Sequence, residues 1–411
     1  MNIEIKKSTA HGTITAPPSK SMAHRYIICA ALSNGVSVIS NVDFSEDIKA
    51  TIDCIKSLGA SVEIDGSTVT INGSNTIFNK LIEKSSCIDF MCRESGSTMR
   101  FFMGIAMTLP MRSRFYGSET LRNRPFGIYE EVLKKQNLTF SRETEYIELS
   151  GAIKDCEYTI QGNISSQFVT GLLLALSLNK DGGKINLIPP VESRSYINMT
   201  LQAMREFGID VDWQDENTLV VKSSQKYQAK DIAVEADYSN AAFLDAFNYI
   251  GGKVLVEGLN EKSLQGDKVY KDCFEKLSKE KATIDIADCP DLGPVLFAVA
   301  AANHGGYFTS TARLKIKESD RGSVMCEELS KFGVITHMEE NSIEIEGNGI
   351  KNPSSILSGH NDHRIVMSLS LLLTLTGGTI DDAQAVRKSY PGFFDDIKTL
   401  GIMVGDEYGM D

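Results

Sequence analysis

Six times along the chain a short polar cluster stands directly in front of an apolar run, and its side chains are of the kinds that hold phosphate or carboxylate. The clusters are Ser19-Lys20-Ser21, Gly96-Ser97-Thr98, Ser165-Ser166-Gln167, Asp237-Tyr238-Ser239-Asn240, Asp291-Leu292-Gly293 and Asn361-Asp362-His363-Arg364. The runs behind them, such as FFMGIAM, FVTGLLLALSL and IVMSLSLLL, read as buried helices. Each cluster therefore falls at a helix start, where backbone N–H groups are unpaired and an anion is stabilised. Guanidinium groups gather as well: Arg93 to Arg124 holds six arginines (93, 100, 112, 114, 122, 124) against two acids, Glu94 and Glu119. In a chain of net charge −12 such a local excess suits a small, multiply charged anion, because paired guanidinium N–H groups fix geometry as well as charge. The overall acidity speaks against binding along a nucleic-acid backbone.

In Pro17-Pro18-Ser19-Lys20-Ser21-Met22-Ala23-His24-Arg25 the prolines end any preceding helix. Ser21 and Arg25 then share a helix face beside Lys20. A hydroxyl, an ammonium and a guanidinium converge there at a positive helix end. A serine cap followed by two solvated cations reads the same residues equally well. A nucleotide-binding P-loop is excluded, because Ile14 and Ser19 occupy the places of its two glycines. Lys317-Glu318-Ser319-Asp320-Arg321, Arg364 and Lys388 are each unremarkable alone, as surface pairs or capping groups. His363 alone reads as a structural histidine, and Asp291 as a cap before Leu292-Gly293-Pro294.

The elements that must position these groups repeat. A second, amphipathic helix follows each cluster, near Ser45 to Leu58, Pro125 to Gln136, Ser195 to Phe207, Leu264 to Lys279, Glu318 to Phe332 and Pro391 to Leu400. Gly59, Gly208, Gly333 and Gly401 stand where left-handed C-terminal glycines are expected. Alternating segments such as SVEIDGSTVTING and VITHMEENSIEIEG predict hairpins. The unit is helix, strands, helix, hairpin, six times in 411 residues, which predicts two domains of three units. The eight cysteines show no C-x-x-C spacing and the six histidines are scattered, so buried thiols are expected and a zinc or iron site is not. MNIEIKKSTAHG lacks the apolar stretch of a signal peptide and no apolar run approaches the ~20 residues of a membrane span, so a cytoplasmic protein is expected.

Taken in order, PPSKSMAHR, ESGSTMRF, LRNRPFG, GNISSQFVTGLL, ESRSYINMT, DCPDLGP, KIKESDR, NDHR and RKSYPGFF resemble the 3-phosphoshikimate 1-carboxyvinyltransferase (5-enolpyruvylshikimate-3-phosphate synthase) family of enolpyruvyl transferases, nearly end to end. The resemblance implies a two-domain inside-out α/β barrel, each domain three repeats with helices inside and sheets outside. Residues 18–234 would be inserted between 1–17 and 235–411, with the active site in the cleft between the domains. It implies transfer of the enolpyruvyl group of phosphoenolpyruvate to the 5-hydroxyl of shikimate 3-phosphate, with release of phosphate, no cofactor and a monomeric protein. By resemblance, shikimate 3-phosphate is held by Ser21, Arg25, Ser165, Ser166, Gln167, Ser193, Tyr196, Asp291 and Lys317. Phosphoenolpyruvate is held by Lys20, Gly96, Arg124, Gln167, Arg321, Arg364 and Lys388. On chemical grounds Asp291 is expected to take the hydroxyl proton and Glu318 to protonate the methylene carbon, with Lys20 and Lys388 serving the phosphate and proton traffic.

Two departures from the family pattern stand out, Glu94 and Arg313, where asparagine is usual. The segment 92–100 borders the family's site for the phosphoenolpyruvate competitor glyphosate, and Gly96 leaves room for it. Two rival readings differ in acceptor or in class. The sister transferase acting on UDP-N-acetylglucosamine carries a cysteine in a loop that here, at Phe115 to Pro125, has none. A silent anion-binding module is expected to lack the proton carriers, yet Lys20, Asp291, Glu318 and Lys388 are all present.

Overall fold

The computed structural model describes residues 1–79, 87–347 and 349–406. The chain forms two compact units, Lys20–Glu235 and, from two segments, Met1–Ser19 with Ala236–Asp411. Each has a hydrophobic core of its own.

The continuous unit contains α1 (Lys20–Leu32), α2 (Glu46–Ser57), α3 (Gly96–Ala106), the short α4 (Glu119–Arg122), α5 (Gly127–Lys135), α6 (Ser166–Leu178) and α7 (Arg194–Glu206). Its three four-stranded sheets share one topology, a parallel pair extended by an antiparallel hairpin. In one, Cys87–Met91 runs parallel to Arg112–Tyr116, which pairs with Tyr146–Ser150 and, beyond it, Thr139–Arg142. The register sets Phe90 opposite Phe115, and their rings stack at 4.9 Å inside the core. The same arrangement recurs in Glu157–Gln161, Gly183–Ile188, Thr218–Val221 and Val211–Trp213. In the third sheet the last strand of the unit, Ile232–Ala233, returns to pair with Val36–Ser40.

Parallel neighbours need a crossover, and α3 and α6 supply it for two of these pairs. Beyond their polar first turns both are largely apolar and almost wholly buried, as helices enclosed by sheets must be. They cross through glycine. A Cβ at Gly104 would lie 2.2 Å from the carbonyl oxygen of Gly171, and one at Gly171 would lie 1.9 Å from the Tyr129 hydroxyl. That hydroxyl donates to the Arg100 carbonyl at 2.8 Å, tying α5 to the crossing.

The second unit holds α8 (Tyr238–Asp245), α9 (Tyr270–Leu277), α10 (Gly293–Ala302), α11 (Arg321–Lys331), α12 (His363–Thr376) and α13 (Phe393–Thr399). One sheet repeats the four-stranded topology, with Ala282–Asp285, Gly305–Thr309, Ser342–Glu346 and Thr336–Met338. The other two are reduced, which corrects the expectation of six equal units. Only a few residues separate α9 from the strand Ala282–Asp285, so no hairpin follows α9, and Lys253–Glu257 pairs instead with the N-terminal strand His11–Thr15. Likewise Ile3–Ile5 lies between Gly378–Ile380 and Val404–Asp406.

Helix limits also shift in two places. The segment from Leu264 splits into a 3₁₀ turn, Gly266–Val269, and α9. α11 begins at Arg321 rather than Glu318, because the Asp320 side chain accepts the Ser323 N–H and caps the helix there. Gly59, Gly208, Gly333 and Gly401 all take positive φ at helix ends. Among the described residues no helix is long and apolar enough to cross a membrane.

Candidate active site

In the continuous unit, side-chain hydrogen bonds bring the starts of α1, α3, α6 and α7 together. Arg25 is buried, not solvated: its Nε donates to Thr200 Oγ1 at 2.8 Å, Nη1 to the Ser21 carbonyl at 2.6 Å and Nη2 to the Tyr196 carbonyl at 3.2 Å. This corrects the reading of two solvated cations and joins α1 to α7. Burial pushes the Arg25 guanidinium down to about 10, against smaller opposing effects of Tyr196 and Cys29. Thr200 meets Thr170 at 2.7 Å, which links α7 to α6. Gln167 bridges α6 and α3, accepting from Arg100 Nη1 at 2.6 Å and donating from Nε2 to Ser97 Oγ at 2.8 Å. Arg100 is itself held over the rings of Phe126 and Phe168.

Ser165 caps α6 by accepting the Gln167 N–H, and Ser166 is its first residue. Ser193 precedes α7 with φ 54°, a left-handed conformation uncommon for a side-chain-bearing residue and frequent at functional sites. Gly96 opens α3, and Arg124 lies against it so closely that a Cβ there would come within 2.6 Å of Arg124 Nη1. Lys20 opens α1 with its ammonium 2.7 Å from Asp47 Oδ2. Asp47 was missed by sequence reading; its signal was an acid in the first turn of α2 that folds inward rather than to solvent.

The second unit carries a denser cluster. Asp291 does not cap α10; it sits in the 3₁₀ turn Pro290–Leu292, and its carboxylate faces cations instead. Oδ1 lies 3.0 Å from both Lys317 Nζ and Arg321 Nη1, and Oδ2 lies 3.3 Å from Arg364 Nη2. Burial alone raises its pKa, but Lys317, Arg364 and Arg321 together outweigh burial and hold the carboxyl well below the usual carboxylate range. Burial lowers Lys317 in turn, more than Asp291 restores it.

Arg321 is 1% exposed, and every guanidinium nitrogen meets an acid: Nε meets Asp362 at 2.8 Å, Nη1 meets Asp291, and Nη2 meets Glu318 at 2.5 Å. Burial disfavours its charge, yet Asp362, Glu318 and Asp291 more than compensate and raise its pKa. Asp362 also caps α12 and accepts from Ser319 Oγ at 3.0 Å. Arg364 Nη1 is shared between Ser239 Oγ at 2.7 Å and the Asp291 carbonyl at 3.1 Å, which draws the start of α8 into the cluster. Lys388 Nζ donates to the Asn361 carbonyl at 2.6 Å. Asp362 and Ser239 belong to clusters singled out in the sequence, but their contacts with Arg321 and Arg364 join residues far apart in the chain. His363 is buried, with Nδ1 3.8 Å from Asp362 Oδ1. Arg313 turns Nη2 to the Ala287 carbonyl at 3.0 Å.

All eight cysteines are free thiols, and five are buried. Among the described residues one group has metal-ligand proximity, Glu327, Glu328 and His360. Glu328 there is already paired with Lys331 at 2.8 Å and accepts the Ser358 N–H at 2.9 Å, which reads as a structural clamp.

Recessed oxygen-binding cations at helix starts, set in repeats with sheets outside, define a class before they define a member. The EPSP synthase of Acinetobacter baumannii shares this fold with TM-score 0.79 at 24% identity, over 98% of this chain and 100% of that one. So does the enolpyruvyl transferase NikO of Streptomyces tendae, with TM-score 0.76 at 13% identity over 98% of each chain. The fold is the two-domain inside-out α/β fold of the enolpyruvyl transferases.

The family model for EPSP synthase (3-phosphoshikimate 1-carboxyvinyltransferase) matches residues 5–397, and the chain belongs to that family. It is 39% identical to the 3-phosphoshikimate 1-carboxyvinyltransferase of Clostridium perfringens (strain 13 / Type A), over 98% of this chain and 99% of that protein.

Proposed function

We propose that the chain transfers the enolpyruvyl group of phosphoenolpyruvate to the 5-hydroxyl of shikimate 3-phosphate and releases inorganic phosphate, as a monomer in the cytoplasm. The observation that carries the chemistry is the Asp291 carboxylate, kept ionised among Lys317, Arg321 and Arg364 in a member of this family. Both substrates bring a phosphate and a carboxylate, so any site holding them together needs many cations and N–H donors. The helix-start clusters of the two units supply both, and we assign them to one pair of substrates.

In that assignment Ser21, Arg25, Ser165, Ser166, Gln167, Ser193, Tyr196, Asp291 and Lys317 take shikimate 3-phosphate. Lys20, Gly96, Arg124, Gln167, Arg321, Arg364 and Lys388 take phosphoenolpyruvate. Addition forms a bond from the 5-oxygen to C2 of phosphoenolpyruvate while C3 gains a proton from Glu318 and the hydroxyl loses one toward Asp291. Elimination removes a proton from the new methyl group and breaks the C2–O bond to phosphate, restoring the double bond. Lys20 and Lys388 serve the departing phosphate.

A carboxylate stabilised by three cations is a weak base. Anionic substrates compete for those same cations, so binding raises the basicity of Asp291 when it is needed. The test is phosphate release by the purified protein from phosphoenolpyruvate, with shikimate 3-phosphate and UDP-N-acetylglucosamine as parallel acceptors. Release with shikimate 3-phosphate alone is expected; release only with the nucleotide sugar, or with neither, overturns the proposal.

A further inference from the structure

α1 and α2 meet through two rungs of matched spacing. Lys20 and Asp47 form one, and four residues further along each helix His24 and Thr51 form the other, with Nδ1 2.6 Å from Thr51 Oγ1. The second rung continues inward. Thr51 Oγ1 lies 2.8 Å from Thr98 Oγ1, which lies 2.8 Å from Ser95 Oγ, and Ser95 Oγ accepts the Thr98 N–H at 3.2 Å as the cap of α3. All four side chains are at most 1% exposed. The other edge of α2 holds the turn before the cap. Arg93, at φ 52°, pairs with Glu46 at 2.5 Å and Asp53 at 2.8 Å.

We propose that His24, Thr51, Thr98 and Ser95 form a directed hydrogen-bond chain, started by His24 in its Nδ1–H tautomer, that positions the N-terminus of α3 for phosphoenolpyruvate. His24 and Thr51 are then positioning residues, and the claim about phosphoenolpyruvate rests on the assignment of Gly96 and Arg124 above.

The direction follows from the far end of the chain, where Thr98 Oγ1 donates to Ser95 Oγ. His24 Nε2 is buried and has no hydrogen-bond partner among the described residues. If Ser95 donated to Thr98, Thr98 to Thr51 and Thr51 to Nδ1, the imidazole proton would sit on Nε2 as a buried donor without an acceptor. With Thr98 donating to Ser95, Thr51 donates to Thr98 and Nδ1–H to Thr51, so Nε2 keeps an acceptor lone pair instead. Burial, Lys20 and Arg25 all press the ring toward neutrality, so a single tautomer describes it. Asparagine sets an amide nitrogen where histidine has Nδ1, which gives a variant that keeps the donor and loses the ring.

Nitrogen-15 NMR of the histidine side chains, with His24 assigned by its absence from His24→Asn, reads the tautomer directly and does not depend on what the protein catalyses. A proton on Nδ1 is expected; a proton on Nε2 overturns the chain's direction. Kinetics test its purpose. Thr51→Val and His24→Leu are expected to raise KM for phosphoenolpyruvate about tenfold, leaving KM for shikimate 3-phosphate and kcat within about twofold. Thr51→Ser and His24→Asn, which keep the donors, are expected to stay near the parent. If both members of each pair weaken both substrates alike, in step with lost thermal stability, the chain is only structural and the positioning claim fails. Should the parent protein release no phosphate, the reaction assignment fails and the tautomer result still decides the hydrogen-bond chain.

Discussion

Asp291 and Asp362 are both acids among cations, but they answer to different tests. Asp291 faces Lys317, Arg321 and Arg364 and retains some exposure, whereas Asp362 is fully buried against Arg321 and caps α12. Asp291→Asn is expected to lower kcat by about a hundredfold or more while substrate binding persists, as loss of a positioned proton acceptor does. Single-turnover rates beside equilibrium binding check this. Asp362→Asn preserves the cap and removes the buried partner of Arg321, so a loss of about 3 kcal/mol of stability is expected near neutral pH. Burial is the largest single effect and raises the Asp362 pKa, but Arg321 and His363 together outweigh it and leave the pKa lowered in the folded state. Its stabilising contribution is therefore full above the unfolded carboxyl value of about 4 and fades as pH falls through the folded one. Denaturation curves of parent and variant should converge as the medium is acidified below about pH 4, and a gap that persists unchanged contradicts the assignment.

At the scale of elements, helix starts present the ligands and glycines let the helices approach. Gly96→Ala sets a methyl group 2.6 Å from Arg124 Nη1, so KM for phosphoenolpyruvate should rise about tenfold or more with the fold intact. Gly171→Ala sets one 1.9 Å from the Tyr129 hydroxyl and 2.7 Å from the Arg100 carbonyl. Overpacking of this kind costs about 1–3 kcal/mol, so thermal unfolding should move down by several degrees. Sequence periodicity made the inner helices legible, because runs apolar on every side can only be enclosed. It also made the C-terminal glycines and the four-stranded hairpins legible. What it left hidden depends on long-range partners. Nothing local in HGTIT says that it pairs with Lys253–Glu257, and nothing in FSEDIK says that Asp47 turns inward to Lys20. Asp291 read as a helix cap because its local context is that of a cap, while its partners lie more than twenty residues away.

For the whole molecule, the two units differ in how they are closed. The unit Lys20–Glu235 is one continuous piece whose last strand, Ile232–Ala233, completes its first sheet. A fragment spanning 18–236 is expected to unfold in one cooperative thermal transition, and one ending at 228 to lose that cooperativity, as circular dichroism will show. The other unit needs both ends of the chain, since His11–Thr15 and Ile3–Ile5 fill its reduced sheets. Assigning both units' clusters to one reaction is the central claim, and its chemistry leaves a mark. Protonation of C3 followed by loss of a proton from a freely rotating methyl group must carry solvent hydrogen into the vinyl product. The decisive measurement is mass spectrometry of the product formed in heavy water from phosphoenolpyruvate and shikimate 3-phosphate. The account predicts an enolpyruvyl ether with deuterium in its methylene group, formed one for one with phosphate. A product free of deuterium, or no product from folded protein, contradicts it.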